Sequence, residues 1–260
     1  MQVRCAQATS PSPQVWRNRL ADFPLALPEL TSRRQLDSRC DTKFVLSPAA
    51  ALDVVASLAA DYRLLLATTE PIATYRTLYF DTAALTSFHA HRCGRRLRHK
   101  VRVRHYLDRG LSTLEVKTRH SEQLTTKRSQ SRPFLCDTLD AEARAFVQTS
   151  SGLSAPVIPQ AHTSFRRITL LRAHSNERVT IDLDLVFEGS AHLATLGNVA
   201  IVEVKQWPFS RTTPVMRALL RLGYRPVSLS KYCAAIACTQ PLVRHNRLLP
   251  WLRVLERGIQ

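Results

Sequence analysis

No apolar run of about 18 residues occurs in the chain, so no segment reads as a bilayer-spanning helix. Its first residues, Met1-Gln2-Val3-Arg4-Cys5-Ala6-Gln7, lack the continuous apolar stretch of a secretory signal, and the expectation is a soluble, cytoplasmic protein. The six cysteines, Cys5, Cys40, Cys93, Cys136, Cys233 and Cys238, are scattered without a CxxC pair. That argues against a zinc knuckle or a dense disulfide framework and leaves reduced thiols as the expectation. The nine histidines show no metal-ligand spacing. Carboxylates are scarce: 20 Asp+Glu face 37 Lys+Arg, giving a net charge of +17. Such a balance favours a polyanionic partner, whether nucleic acid, anionic lipid, nucleotide or phosphate chain, and charge alone does not choose among them. Aromatic side chains, 7% of the chain, are sparse around the basic runs, which counts against nucleic acid that binds by base stacking.

With 260 residues, 45% of them hydrophobic, the chain can bury a sizeable core as one large domain or two small ones. Residues 1–34 carry Pro11, Pro13, Pro24 and Pro28 and read as an irregular arm, with Leu20 to Leu30 available to pack on the body. Residues 35–240 read as the folded domain, and residues 241–260 as a basic tail. Contact of the basic ends with a membrane surface is left open.

The most informative stretch is Leu97 to Tyr106, which alternates like a β-strand: Val101 and Val103 share one face, Lys100, Arg102 and Arg104 the other. Leu114-Glu115-Val116-Lys117 and Val202-Glu203-Val204-Lys205 repeat the device, each with a carboxylate and an ammonium opposite valines. Arg39, Asp41 and Lys43 alternate in the same way within a strand from Ser38 to Leu46, as do Thr180, Asp182 and Asp184 within Arg178 to Phe187. Further strands are expected at Tyr75–Phe80, Thr163–Arg172 and Asn198–Gln206, and the basic run Glu122 to Arg132 reads either as another inward-facing strand or as a solvated loop. Helices are expected after the Ser47-Pro48 cap, after Asp81 through His91, at Leu139–Thr149, at Arg211–Leu222 before Gly223, and from Ser230.

Some seven or eight strands with one charged and one apolar face need two different surroundings. The apolar face must pack, and the charged face must meet water, metal or ligand. A closed antiparallel barrel with a wet, charged lumen and helices outside satisfies both, and an open sheet with one basic face is the simpler alternative.

Five short motifs occur in a fixed order: Thr77-Leu78-Tyr79-Phe80-Asp81-Thr82, Lys100-Val101-Arg102-Val103-Arg104-His105-Tyr106, Leu114-Glu115-Val116-Lys117, Val202-Glu203-Val204-Lys205 and Leu229-Ser230-Lys231-Tyr232-Cys233. In this the chain resembles the VTC domain, the polyphosphate polymerase module of the vacuolar transporter chaperone type, within the triphosphate tunnel metalloenzymes, over roughly Arg39 to Cys233. The resemblance implies an α+β, mainly β protein: a closed eight-stranded antiparallel tunnel with a charged lumen, flanked by helices. It further implies a phosphotransferase that uses Mn²⁺ or Mg²⁺ to move the γ-phosphoryl group of ATP onto inorganic polyphosphate, with no specific nucleic-acid partner. Carried over by position, Arg102, Arg104, Lys117 and Lys231 take catalytic places. Lys43, Lys127, Arg167, Arg178, Lys205 and Ser230 take substrate-binding places, Glu203 is the metal ligand, and Glu115 is a second carboxylate that either joins it or orients Lys117. An ion pair with Lys205 is the bland alternative for Glu203. Phe44 and Phe165 stand where the family carries tyrosine, the first a matter of packing and the second removing a hydroxyl from the tunnel. A hydrolase of triphosphate or polyphosphate on the same fold, or a non-catalytic polyanion binder, are the competing readings.

Overall fold

A computed structural model of the chain describes residues 10–27, 40–121, 124–190, 192–196, 198–240, 242–248 and 252–253. Ser38, Arg39, residues 28–34, Glu122, Gln123 and most of the basic tail therefore lie outside the described residues. One antiparallel sheet dominates, with strands β1 Cys40–Leu46, β2 Tyr62–Leu64, β3 Ala73–Asp81, β4 Arg98–Tyr106, β5 Leu111–Arg119, β6 Thr125–Arg132, β7 Ile158–Arg172, β8 Arg178–Gly189, β9 Leu193–Leu196 and β10 Ala200–Gln206. Eight of them run in the order β1-β10-β8-β7-β3-β4-β5-β6, with β2 beside β7 and β9 beside β8. Six α-helices accompany them among the described residues: α1 Pro13–Leu20, α2 Pro48–Ala56, α3 Thr86–Arg92, α4 Ala141–Ser151, α5 Pro214–Arg221 and α6 Lys231–Thr239.

The alternation along each strand decides which layer it joins. Phe44, Leu46, Val202, Val204, Val179, Ile181, Ile168 and Leu170 form one outer core with Val54 and Val55 of α2 and Val215, Met216 and Leu219 of α5. Leu78, Phe80, Val101, Val103, Leu114 and Val116 form a second outer core with Ala143 and Val147 of α4. Helices α2 and α4 are capped by their own sequence: Ser47 Oγ accepts from Ala50 N at 3.2 Å, Asp140 Oδ1 from Ala143 N at 2.8 Å, and Gly152 ends α4 at φ 69°. Asp81 accepts from Ser87 N at 2.9 Å and Phe88 N at 2.8 Å, holding the first turn of α3 although it lies several residues ahead of it.

The opposite face of the sheet is the inner one, and it is curved. Lys43 on β1 and Lys100 on β4 are five places apart in the strand order, which in a flat sheet would separate them by roughly 24 Å. Yet Val45 on β1 and Tyr79 on β3, four places apart in the same order, lie in one buried cluster with Tyr232 and Ile236, so the sheet wraps round. One end of the hollow is stopped by α6. Nearly every side chain of that helix is buried, including Tyr232, Cys233, Ile236 and Thr239, as a helix apolar on all sides must be.

Two expectations change. The arm is not wholly irregular: Ser12 caps α1, which buries Trp16 and Leu20 in the outer core, and Leu25 bridges to Leu64. The sheet, in turn, is open rather than a closed barrel, because among the described residues no ladder joins β6 to β1. Strand β6 is a genuine strand, so the loop alternative for this segment falls, but none of its residues is buried and it has no apolar face to drive docking.

Candidate functional site

Glu203 occupies the middle of β10, opposite Lys43 on β1 and Thr180 on β8. One carboxylate oxygen meets Lys43 Nζ at 3.1 Å and the other accepts from Lys205 Nζ. Burial alone would raise the carboxyl pKa, but Lys205, Lys43 and Arg167 outweigh it and hold Glu203 well below the usual carboxylate range. Lys205 moves the other way. Burial depresses its ammonium to about 8 despite the opposing carboxylates of Glu203 and Asp41.

A second carboxylate stands across the hollow on β5. Glu115 is 2% exposed, accepts from Arg102 Nε at 2.6 Å and meets Lys127 Nζ at 2.5 Å. Burial works against its ionised form, yet Arg102, Arg104 and Lys127 pull its pKa far down. Arg104, two residues on from Arg102, has no comparable partner. Its Nε donates to Thr77 Oγ1 at 3.3 Å, and among the described residues it makes no ion pair although it is only 8% exposed. Burial and the neighbouring Arg102 both lower its proton affinity.

The third carboxylate, Asp182 on β8, is fully buried. Arg167 grips it with two bonds, Nε at 2.5 Å and Nη2 at 2.8 Å, and Lys231 at the start of α6 donates to the same group. Burial would raise its pKa, but the two cations bring it down to about 2. Beneath these groups lies an aromatic floor. Phe165 and Tyr75 stack with centroids 5.3 Å apart, and Arg104, Arg167 and Lys231 all sit over the Phe165 ring, at 6.0, 5.1 and 4.8 Å. The substitution of phenylalanine for tyrosine thus keeps a ring that three cations use. Behind it, Tyr232 donates to Asp81 and tilts against Tyr79, fixing α6 to β3.

The structure therefore brings Lys43, Arg102, Arg104, Arg167, Glu203, Lys205 and Lys231 onto one inner face, linked through Glu115 and Asp182. Lys127 joins them through Glu115 but is half exposed at the open edge, beside Lys117, its register partner, which is exposed as well. Arg178 pairs in register with Lys205 at the end of the hollow away from α6. Ser230 caps α6, accepting from Cys233 N at 3.3 Å, and so positions Lys231. Phe44 is buried in the outer core, in keeping with a packing role.

Asp182 and Lys100 were on faces that the alternation marks, but nothing local shows that Asp182 orients two cations or that Lys100 is left without an ion pair among the described residues. Lys100 lies in register with Lys117, and burial is the main reason that its ammonium falls to about 8.

A divalent ion fits this donor set in one way. Among the described residues no group of three His, Cys, Asp or Glu converges, so a protein-only cage is absent. Glu203 offers a hard carboxylate, with phosphate oxygens and water to complete the shell, which is how Mg²⁺-sized ions are commonly held beside phosphates. Lys43 and Lys205 are its partners in this structure.

The VTC domain profile matches residues 38–240. The chain belongs to the VTC domain family. No curated protein matches it. Among solved structures, this VTC chain is similar to a Hippeastrum protein described as a candidate adenylyl cyclase with a dominant triphosphatase activity, at 15% identity and TM-score 0.46, covering 80% of this chain and 99% of that one. A candidate adenylate cyclase from Bacillus halodurans matches at 12% identity and TM-score 0.46 over 75% of this chain and 96% of its own. Protein PH1012 of Pyrococcus horikoshii matches at 14% identity and TM-score 0.39, over 79% and 96% of the two chains.

Proposed function

We propose that this VTC-domain chain is a divalent-metal-dependent polyphosphate polymerase that transfers the γ-phosphoryl group of ATP to a growing inorganic polyphosphate. The observation that carries the reading is Arg104, a buried guanidinium that makes no ion pair among the described residues, flanked by Arg102 and Arg167. An unpaired buried charge is costly unless an anion completes it, and a phosphoryl group is the anion that a planar fork fits. Three neighbouring carboxylates hold the other cations in place, so the face is organised before ligand arrives.

In this reading Arg102, Arg104 and Arg167 take the oxygens of the transferring group, with Lys231 aligned by Asp182. Lys43 and Lys205 leave Glu203 for the phosphates. A divalent ion held by Glu203 would supply neutralisation of phosphate charge. A terminal oxygen of the acceptor chain attacks the γ-phosphorus, the bond to the β–γ bridging oxygen breaks, and ADP leaves with that oxygen. A phosphate chain lying between Lys43 and Lys127 would bridge the open edge between β1 and β6.

The test is polymer synthesis by pure protein from ATP with Mn²⁺ or Mg²⁺. Glu203→Gln is expected to lower the rate by roughly a hundredfold or more, as loss of a metal's charge stabilisation does. Undiminished synthesis removes Glu203 from the mechanism. Release of free phosphate without polymer replaces polymerase by hydrolase, and neither product leaves a binding protein.

A further inference from the structure

Arg172, Glu177, Gln206 and Trp207 line a cavity of about 240 Å³ between the β7–β8 turn and the loop from β10 to α5. It belongs to the outer side of the sheet. Gln206 shares its parity with Val202 and Val204, and Glu177 shares its parity with Val179 and Ile181, four residues of the outer core. Both walls are fixed by their own bonds. Arg172 N donates to Glu177 O at 3.1 Å across the turn, while in the loop Gln206 Nε2 donates to Ser210 O at 3.0 Å and Ser210 N donates to Gln206 Oε1 at 3.3 Å. Glu177 is 3% exposed, and its two carboxylate oxygens accept from neutral donors, the Tyr62 hydroxyl and the Gln206 amide. Neither Glu177 nor Arg172 makes an ion pair among the described residues, although both line the cavity.

We propose that this cavity binds a free α-amino acid, with its ammonium on Glu177, its carboxylate on Arg172 and its side chain against Trp207. A buried carboxylate held only by neutral donors is costly until a cation completes it, and Glu177 keeps lone pairs for an ammonium. A guanidinium takes a carboxylate with two parallel bonds. Opposite charges that line one cavity without meeting are therefore both satisfied by a zwitterion placed between them. The indole of Trp207, 57% exposed, gives the remaining wall an apolar surface. At roughly 30 Å³ for each water-sized group, the cavity takes about eight of them, the size of an amino acid. Glu203 lies on the opposite face of the sheet, so the inference stands apart from the polymerase reading.

The experiment heats the full chain with each of the common L-amino acids in turn, at about 2 mM. At least one is expected to raise the melting temperature by about 3 °C or more, the shift for a ligand at ten times its dissociation constant. For that amino acid, the α-amide, which lacks the carboxylate, and the N-acetyl form, which lacks the ammonium, are expected to raise it by less than about 1 °C. Arg172→Met keeps the aliphatic stem and removes the charge, and should weaken binding by about tenfold or more in titration calorimetry. Trp207→Ala should weaken it severalfold. Circular dichroism checks that both variants fold, and the amide and N-acetyl arms test the site in the native chain whether or not they do. A melting temperature that no amino acid moves, an equal shift from either blocked form, or unchanged affinity in folded Arg172→Met overturns the site. Displacement of the amino acid by tripolyphosphate would place it on the inner face and overturn it too.

Discussion

Replacing Asp182 by asparagine keeps its shape and removes its charge, leaving Arg167 and Lys231 buried without a counter-ion. Breaking a buried pair by removing one partner costs about 3–5 kcal/mol. At about 2–4 °C per kcal/mol for a domain of this size, the melting temperature should fall by about 10 °C. The pH dependence gives an independent magnitude. The folded carboxyl titrates at about 2 against 3.8 unfolded, so its contribution is present above about 4 and is lost as pH falls through 2. That difference corresponds to about 2 kcal/mol. Thermal unfolding from pH 6 down to pH 2.5 should therefore show a flatter pH slope in Asp182→Asn than in the native chain. Tripolyphosphate, by giving the two stranded cations an anion, should raise the melting temperature of Asp182→Asn more than that of the wild type. A melting point within about 2 °C of native together with parallel pH slopes would refute the reasoning.

The two depressed ammoniums set a second expectation: Lys100 and Lys205 titrate at about 8 instead of 10.5, so the unfolded chain holds more protons between those values and stability should rise as pH increases through that window. Phosphate binding favours their charged forms, so calorimetry near pH 8 to 9 in buffers of different ionisation enthalpy should show proton uptake and affinity falling with rising pH, and proton release would contradict it. Gly189→Ala is expected to destabilise the fold by about 1–3 kcal/mol in urea unfolding, because its Cβ would lie 2.5 Å from Thr239 Oγ1 on the buried α6, and an unchanged midpoint would show that α6 is not tightly seated. Phe165→Leu should weaken tripolyphosphate binding severalfold, since it removes the ring under three cations while keeping an apolar filler, and unchanged affinity would strip the aromatic floor of its role.

Much of the inner face was legible because alternation holds along β1, β4 and β10: Lys43, Arg102, Arg104 and Glu203 declare their side by parity with buried valines and phenylalanine. Two caps were legible for a similar local reason, as Ser47 and Ser230 each accept from an amide three residues on, whereas Asp140, read as lying within its helix, caps it. What parity does not carry is pairing across the hollow. That Glu115 holds Arg102 and Lys127, or that Asp182 holds Arg167 and Lys231, depends on strand order and curvature, neither of which is local. Helix α1 hid among prolines because Pro13 is a helix start as readily as a breaker, and only Trp16 and Leu20 finding the outer core settles it. The open β1–β6 edge is equally unreadable, since a polar, basic strand such as β6 alternates in the same way whether it is paired on one side or two.

The most direct test of the account is a crystal structure of the chain with a nonhydrolysable ATP analogue and Mn²⁺. The account predicts the γ-phosphate within hydrogen-bonding distance of Arg104 and Arg167, a metal ion on Glu203, and Lys43 and Lys205 turned from that carboxylate toward phosphate oxygens. Phosphates bound on the outer surface, with Arg104 still on Thr77 and both lysines still on Glu203, would contradict it.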